Sequence, residues 1–344
     1  MSVQLLHSLK ALNTFGLDHY CLDLRQARSK AELIEHCTDL YRKQETMLVI
    51  GSGSNILLTE DFAGTVIRVA TKGVKVQQDS EYYYLEVEAG EDWHTLVSYC
   101  LGQGMAGLEN LALIPGTAGA APVQNIGAYG LEFKTVCNWV EYVDLASGTL
   151  KRLLPEDCEY GYRESIFKGA LRDNSVITSV GIRLAKQWSP CLSYDTLASF
   201  APESVKPRQI FDYICEMRNS KLPDTRVLGN AGSFFKNPSI SRTLFMDLQR
   251  RYPEIVGYQQ DEGLVKVAAG WLIDQAGLKD FTPGNAAIHE HQSLVLVNKG
   301  GARGKDIVQL ALAIIDQVDR LFGVTLETEI RIIGAHGEKR LTDC

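Results

Sequence analysis

At 344 residues the chain is longer than a single core usually grows, so two or three domains are expected, and 45% hydrophobic with 22% charged residues excludes a disordered or fibrous protein. A net charge of −7 excludes a general nucleic-acid binder, which needs an excess of Lys and Arg against phosphates. No apolar stretch approaches the ~20 residues that span a bilayer, and the opening MSVQLLHSLKALNTFG lacks a basic start and a cleavable apolar run, so a cytoplasmic protein with no membrane partner is expected.

The first stretch, roughly 70 residues, reads as a small α/β unit, with Met47-Leu48-Val49-Ile50 an apolar strand ending at a glycine and Val66-Ile67-Arg68-Val69 a second strand. Tyr83, Leu85 and Val87 mark a further strand. A helix over 92–101 follows and stops at Gly102 and Gly104. Residues 139–143 and 149–154 flank Ala146-Ser147-Gly148, a loop of hairpin type, and 176–184 add another strand. Ile210, Phe211, Ile214 and Met217 fall at helical spacing in a helix that yields before Pro223, where a domain boundary is placed.

The clearest helix comes near the end. Ile307, Leu310, Ala311, Ile314, Val318, Leu321 and Phe322 form one apolar stripe, Asp306 lies near its start and Gly323 is positioned to cap it. The last strand, 328–333, carries Glu329 and Arg331 among isoleucines, and such charges need partners. Eight cysteines without a CxxC pair suggest neither a zinc cage nor a disulfide framework. His289-Glu290-His291 is the one histidine cluster; in a strand its two imidazoles share a face, but without a third ligand no metal is expected.

Four stretches carry chemistry. Gly51-Ser52-Gly53-Ser54-Asn55 follows a strand but lacks the third glycine and the helix of a dinucleotide fingerprint, leaving either a plain glycine turn or a nest of backbone N–H groups for a pyrophosphate. Pro115-Gly116-Thr117-Ala118-Gly119-Ala120-Ala121-Pro122-Val123-Gln124-Asn125-Ile126-Gly127-Ala128-Tyr129-Gly130 is rich enough in small residues for the backbone to approach a flat ligand, or to pack tightly under a helix. The others are Gly161-Tyr162-Arg163-Glu164-Ser165-Ile166-Phe167 and Gly229-Asn230-Ala231-Gly232-Ser233-Phe234-Phe235-Lys236-Asn237-Pro238. Taken singly, they read as a surface arginine and a polar turn.

Together and in this order, with Asn13-Thr14-Phe15-Gly16 and Ala268-Ala269-Gly270-Trp271-Leu272-Ile273, the stretches closely resemble the UDP-N-acetylenolpyruvoylglucosamine reductase family from about Leu12 to Gly334. The resemblance implies an α+β protein with a two-lobed FAD-binding fold of the vanillyl-alcohol oxidase type plus a C-terminal α+β substrate-binding domain. The implied layout is residues 1–71 with 323–344 as the first lobe, 72–222 as the second and 223–322 as the substrate domain.

By the same resemblance, non-covalent FAD would be lined by Gly51, Ser52, Gly53, Ser54, Asn55, Pro115, Gly116, Thr117, Gly119, Ala120, Asn125, Gly127, Ala128, Tyr129 and Arg331. Ala120-Ala121 departs from the serine or glycine of relatives, so only backbone contact is implied there. The implied partners are NADPH as hydride donor and UDP-N-acetylglucosamine enolpyruvate as substrate, with the protein a monomer. Arg163 would stabilise the enolate-like charge, Glu329 would assist in its protonated form, and Ser233 would deliver a proton to the α-carbon. Tyr129, Tyr162, Tyr194, Lys221, Asn237 and Gln292 would contact the substrate, Tyr194 from a loop found in the long form of the family. An FAD oxidase of the same superfamily and a catalytically silent nucleotide-sugar binder are the competing readings.

Overall fold

The computed structural model describes residues 6–260 and 263–344, so the first five residues of the opening segment lie outside the described residues. Helices and strands are mixed along the whole chain, an α+β architecture. The chain forms two compact units, neither of them contiguous in sequence. One takes residues up to Cys21, Gly53–Ala63 and everything from Lys221; the other takes Leu22–Ser52 and Gly64–Ser220.

The Leu22–Ser52 and Gly64–Ser220 unit is built on an antiparallel sheet in the order Leu150–Leu153, Cys137–Asp144, Ser175–Ala185, Tyr82–Glu88, Val74–Gln78. The expected hairpin is there: Val143 pairs with Leu150 across the Ser147-Gly148 turn, where Gly148 adopts φ 72°. Helix α1 (Lys30–Arg42) starts where the Ser29 side chain accepts the Glu32 N–H, and its Leu33, Cys37 and Leu40 lie one turn apart on the buried face. They pack with Ile67, Val143 and Val176. Helix α2 (Trp93–Gly102) starts at the position expected because Asp92 accepts the Thr95 N–H. Helix α3 (Pro207–Lys221) buries Ile210, Phe211 and Ile214.

The other unit surrounds helix α6 (Gly304–Phe322), which follows α4 (Arg242–Arg251) and α5 (Ala269–Ala276). The stripe read from the sequence is the buried face of α6: Ile307, Leu310, Ala311, Ile314, Val318 and Phe322 join Phe15, Leu57, Phe234 and Phe235 in one core. Gly323 ends the helix in the left-handed conformation at φ 64°. Gly304 has no room for a side chain, since a Cβ there would lie 2.2 Å from the Leu58 carbonyl oxygen.

Two sequence expectations need correction. The final strand is Arg331–Gly334, not 328–333, because its parallel partner Ile56–Leu58 begins opposite Arg331. Glu329 therefore stands in the bend that precedes the strand, where Thr328 makes an isolated bridge to Phe235. His289 and His291 likewise lie beyond the strand Ala286–Ile288, and their rings meet edge to face at 5.8 Å. The His289 N–H still donates to the Val295 carbonyl, in register with the pairing of Ala286–Ile288 and Val295–Asn298, before the chain turns.

Candidate active site

In the unit of Leu22–Ser52 and Gly64–Ser220, Gly51 packs against the second glycine-rich stretch. A Cβ at Gly51 would lie 2.6 Å from Thr117 Oγ1, and one at Gly119 would lie 2.5 Å from the Ala89 Cβ. The second stretch is held open by backbone pairing: Gly116 O accepts from Trp93 N–H, while Ala118 and Gly119 N–H donate to Glu91 and Ala89. Ser52, Pro115 and Ala120 are exposed along this surface. Asn125 is wholly buried in the left-handed conformation at φ 44°, with Nδ2 donating to Glu132 and the Gly161 carbonyl and Oδ1 accepting from Lys134 N–H. These bonds fix the shape of the loop.

The same unit gathers Gly127, Ala128, Tyr129, Tyr162, Arg163 and Tyr194. Arg163 sits at φ 58°, stacks its guanidinium over the Tyr162 ring at 5.2 Å, and donates from Nη2 to the Gly127 carbonyl at 2.9 Å. Ser165 anchors this turn by donating to Val123 O at 2.7 Å, which ties the Tyr-Arg motif to the small-residue stretch. Tyr129, at φ 47°, meets the edge of Tyr194 with ring centroids 5.3 Å apart.

One buried cation in this unit has no counterpart among the residues that the sequence points to. Arg218 continues the buried stripe of α3 one turn beyond Ile214, and its Nε is buried without a hydrogen-bond partner. Its guanidinium hydrogen-bonds the Tyr129 phenol; burial lowers the Arg218 pKa and raises that of Tyr129, and the neighbouring Arg163 charge also depresses Arg218. Two guanidiniums close enough to repel each other gather positive charge at this point of the unit. An arginine on an apolar helical stripe was the only available signal.

In the other unit, Ser233 closes the strand Gly229–Ser233, which is bulged between Asn230 and Ser233 where it pairs with Val295–Asn298. The bulge is fixed by Asn230, which is 3% exposed: Oδ1 accepts the Gly232 N–H, and Nδ2 donates to the carbonyls of Leu228 and Pro223. Glu329 is half-buried on the adjoining segment, with its N–H donating to the Phe234 carbonyl at 2.8 Å. Ser233 and Glu329 thus belong to neighbouring backbones. Asn55 donates to Glu329 O, and Arg331 N–H donates to Asn55 O, so Gly53-Ser54-Asn55 joins the same cluster; Arg331 itself is paired with Glu338 at 2.7 Å. Asn13-Thr14-Phe15-Gly16 supports it from below, since Thr14 N–H donates to Gly53 O, and Phe15 O accepts from Asn298.

Asn237 and Gln292 converge on the first turn of α5. Asn237 Oδ1 accepts the Ala269 N–H at 2.9 Å, capping a helix whose own N-cap residue is Ala268, and Gln292 Oε1 lies 3.5 Å from where a Cβ on Gly270 would be. Lys221 is exposed at the end of α3. Arg163 lies in one unit, whereas Ser233 and Glu329 lie in the other. Among the described residues no group of three or more His, Cys, Asp or Glu is placed to hold a metal, and no helix is long and apolar enough to cross a membrane.

Residues 223–333 match the family described as UDP-N-acetylenolpyruvoylglucosamine reductase, C-terminal domain, and residues 24–154 match the FAD binding domain family. The UDP-N-acetylenolpyruvoylglucosamine reductase of Shewanella sediminis is 58% identical over 343 residues, with 100% of both chains covered. That of Shigella dysenteriae is 47% identical, covering 96% of this chain and 97% of its own. The solved UDP-N-acetylenolpyruvylglucosamine reductase of Thermus caldophilus is similar with a TM-score of 0.65 and 25% identity, over 95% of this chain and 98% of that one. With whole-length identity of this order, and with the four motif stretches built into ordered turns, the chain belongs to the UDP-N-acetylenolpyruvoylglucosamine reductase family.

Proposed function

We propose that the protein reduces the enolpyruvyl ether of UDP-N-acetylglucosamine to the lactyl ether, completing UDP-N-acetylmuramate, with NADPH as hydride donor and FAD as a non-covalent cofactor. The observation that carries this reading is the 58% identity to a reductase of that name along the entire chain. The substrate and NADPH are cytoplasmic metabolites, which supports a cytoplasmic location. The layout of two FAD lobes, 1–71 with 323–344 and 72–222, and a substrate domain, 223–322, remains our reading of the division of labour.

The cradle fits FAD. A side chain at Gly51 or Gly119 would collide with Thr117 or Ala89, so the backbones pack closely there, and the small residues 116–121 present backbone in place of bulky side chains along this wall. Held along the Gly51 and 115–130 stretches, FAD would supply the hydride-transfer chemistry between NADPH and the methylene carbon of the enol ether.

The chain's own residues supply the rest. An enol ether is electron-rich, so its carboxylate has to take up charge as the methylene carbon gains hydride. Arg163, permanently charged and fixed by Gly127 O and the Tyr162 ring, presents N–H donors for that charge. Arg218 adds a second cation, held against Tyr129. Ser233 gives its hydroxyl proton to the α-carbon, Glu329 assists from the adjoining segment, and the bulge at Asn230 holds the serine in place. Lys221, Asn237, Gln292 and Tyr194 hold the nucleotide-sugar.

Stopped-flow flavin absorbance tests this assignment. In Ser233→Ala, NADPH still reduces the flavin, whereas reoxidation by the enolpyruvyl substrate slows by at least the ~10²-fold that general acid catalysis supplies. Ser233→Cys recovers part of the loss. Reoxidation at wild-type rate, or equal loss of both half-reactions, would remove Ser233 as proton donor.

A further inference from the structure

The turn Glu109–Leu111 is a single 3₁₀ turn, yet all three of its residues are buried. Asn110 is 1% exposed, and its Nδ2 donates both hydrogens to backbone carbonyls of separate segments: Tyr129 O at 2.7 Å and Cys191 O at 2.9 Å. Beside it, Glu109 is 3% exposed and accepts the Trp188 indole N–H at 2.5 Å and the Gly107 N–H at 2.7 Å. The segment leading to Tyr194 is therefore tied at two points, Trp188 and Cys191. On the far side, Leu197 is wholly buried and its N–H donates to Tyr194 O. Between these ties stands Tyr194, 45% exposed, with its ring on the edge of Tyr129.

We propose that Asn110 is a positioning residue that latches the Tyr194 segment onto Tyr129 and so presets one wall of the nucleotide-sugar site; this rests on the substrate contact assigned to Tyr194 above. One amide group fixes the backbone at Tyr129 and the backbone three residues before Tyr194, so the two rings keep their relation only while both bonds hold. Contact is close along this seam, since a Cβ at Gly130 would lie 2.4 Å from Ser193 Oγ. Tyr129 also holds a left-handed backbone conformation, which a residue with a side chain keeps only where its surroundings impose it. The bond from Asn110 to Tyr129 O is one such constraint. Without Asn110 the exposed Tyr194 has to be ordered when substrate arrives, and that cost falls on binding and not on the chemical step.

The test uses the FAD-loaded enzyme and the variants Asn110→Ser, Tyr194→Ala and their double mutant. In Asn110→Ser, KM for the enolpyruvyl substrate rises about tenfold, the size of one or two net hydrogen bonds, while kcat stays within about twofold. NADPH reduces the flavin at the wild-type rate, and amide exchange quickens over residues 192–196. In the Tyr194→Ala background the Asn110 effect on KM disappears, an outcome that a general packing role would not produce. Trp188→Phe, which loses the second tie, moves KM and exchange the same way and keeps the proposal testable should an Asn110 variant fold poorly. Unchanged exchange, a full-sized KM effect in the Tyr194→Ala background, or an equal fall in kcat and flavin reduction overturns the latch. A wild-type KM in Tyr194→Ala alone removes the substrate role of Tyr194 and the functional half of this proposal, while the exchange rates still decide the latch itself.

Discussion

Asn230 is where stability and chemistry are most directly joined. Its side chain makes three hydrogen bonds, to Gly232 N–H and to the Leu228 and Pro223 carbonyls, and it is 3% exposed. In Asn230→Ala these buried groups lose their partners, and at about 1 kcal/mol each the loss is ~3 kcal/mol. Spread over the unfolding entropy of 344 residues, this amounts to roughly 4 °C in Tm. Asn230→Asp keeps the acceptor for Gly232 but turns two donors into acceptors facing carbonyls, so it is no milder despite its matching shape. Differential scanning calorimetry gives the stability change, and stopped-flow absorbance gives the functional one: substrate reoxidation slows because Ser233 loses its placement, while NADPH reduction holds. An Asp variant with wild-type Tm and reoxidation would refute the reasoning.

Arg163→Lys keeps the charge but loses the planar fork, so kcat falls far more than KM rises; a change in KM alone would mark a binding group. Gly51→Ala places a methyl 2.6 Å from Thr117 Oγ1 and lowers the flavin content of the purified protein, and Thr117→Ala in the same chain restores it; equal flavin absorbance in all three would dismiss the cradle. Acid precipitation releases the yellow colour into the supernatant, and colour kept in the pellet would indicate a covalent flavin. Glu141 is partly buried, which opposes its ionisation, yet hydrogen bonds from Lys30, Arg152 and Ser179 hold its carboxyl at about 2, below the ordinary 4.5. A depressed folded value adds stability above the unfolded value that is lost as pH falls through the folded one. The gap between wild type and Glu141→Gln, about 1 kcal/mol after solvent screening, is therefore open at pH 7 and closes from about 4.5 toward 2. A pH-independent gap in chemical denaturation would contradict this.

How much of this could be read in advance depended on how local the causes were. The α6 stripe was legible because 3.6-residue periodicity over a long helix survives any packing detail, and α2 because Asp92 caps it from the adjacent position. The last strand was misjudged because its start is set by Ile56, far away in the chain. Helix α5 is capped by Asn237, so no local signal marked its beginning. Arg218 was passed over since an arginine on a helix ordinarily reaches solvent, and only the fold shows its Nε buried. The motif strings identified Arg163 and Ser233, but not the reasons they are held: a left-handed backbone at one and a bulge pinned by Asn230 at the other. Five of the eight cysteines are buried free thiols, and for Cys37, Cys100 and Cys137 burial pushes the thiol up to about 12, where it is inert, whereas Cys191, Cys215 and Cys344 are partly or fully exposed.

The pairing of Ile56–Leu58 with Arg331–Gly334 bears on how the protein is made. On the ribosome, Ile56, Leu57 and Leu58 emerge long before the strand that pairs with them, Arg331–Gly334. Until then, three side chains that end up wholly interior and a row of unsatisfied backbone groups remain open to other chains. The Gly64–Ser220 unit has no such wait, since its sheet is complete once Ser175–Ala185 has appeared. Synthesis thus imposes an order, with the antiparallel sheet of the Gly64–Ser220 unit first and the serine-bearing unit only once Arg331–Gly334 has emerged, and nascent chains stalled before Arg331 are the ones that would call on chaperones.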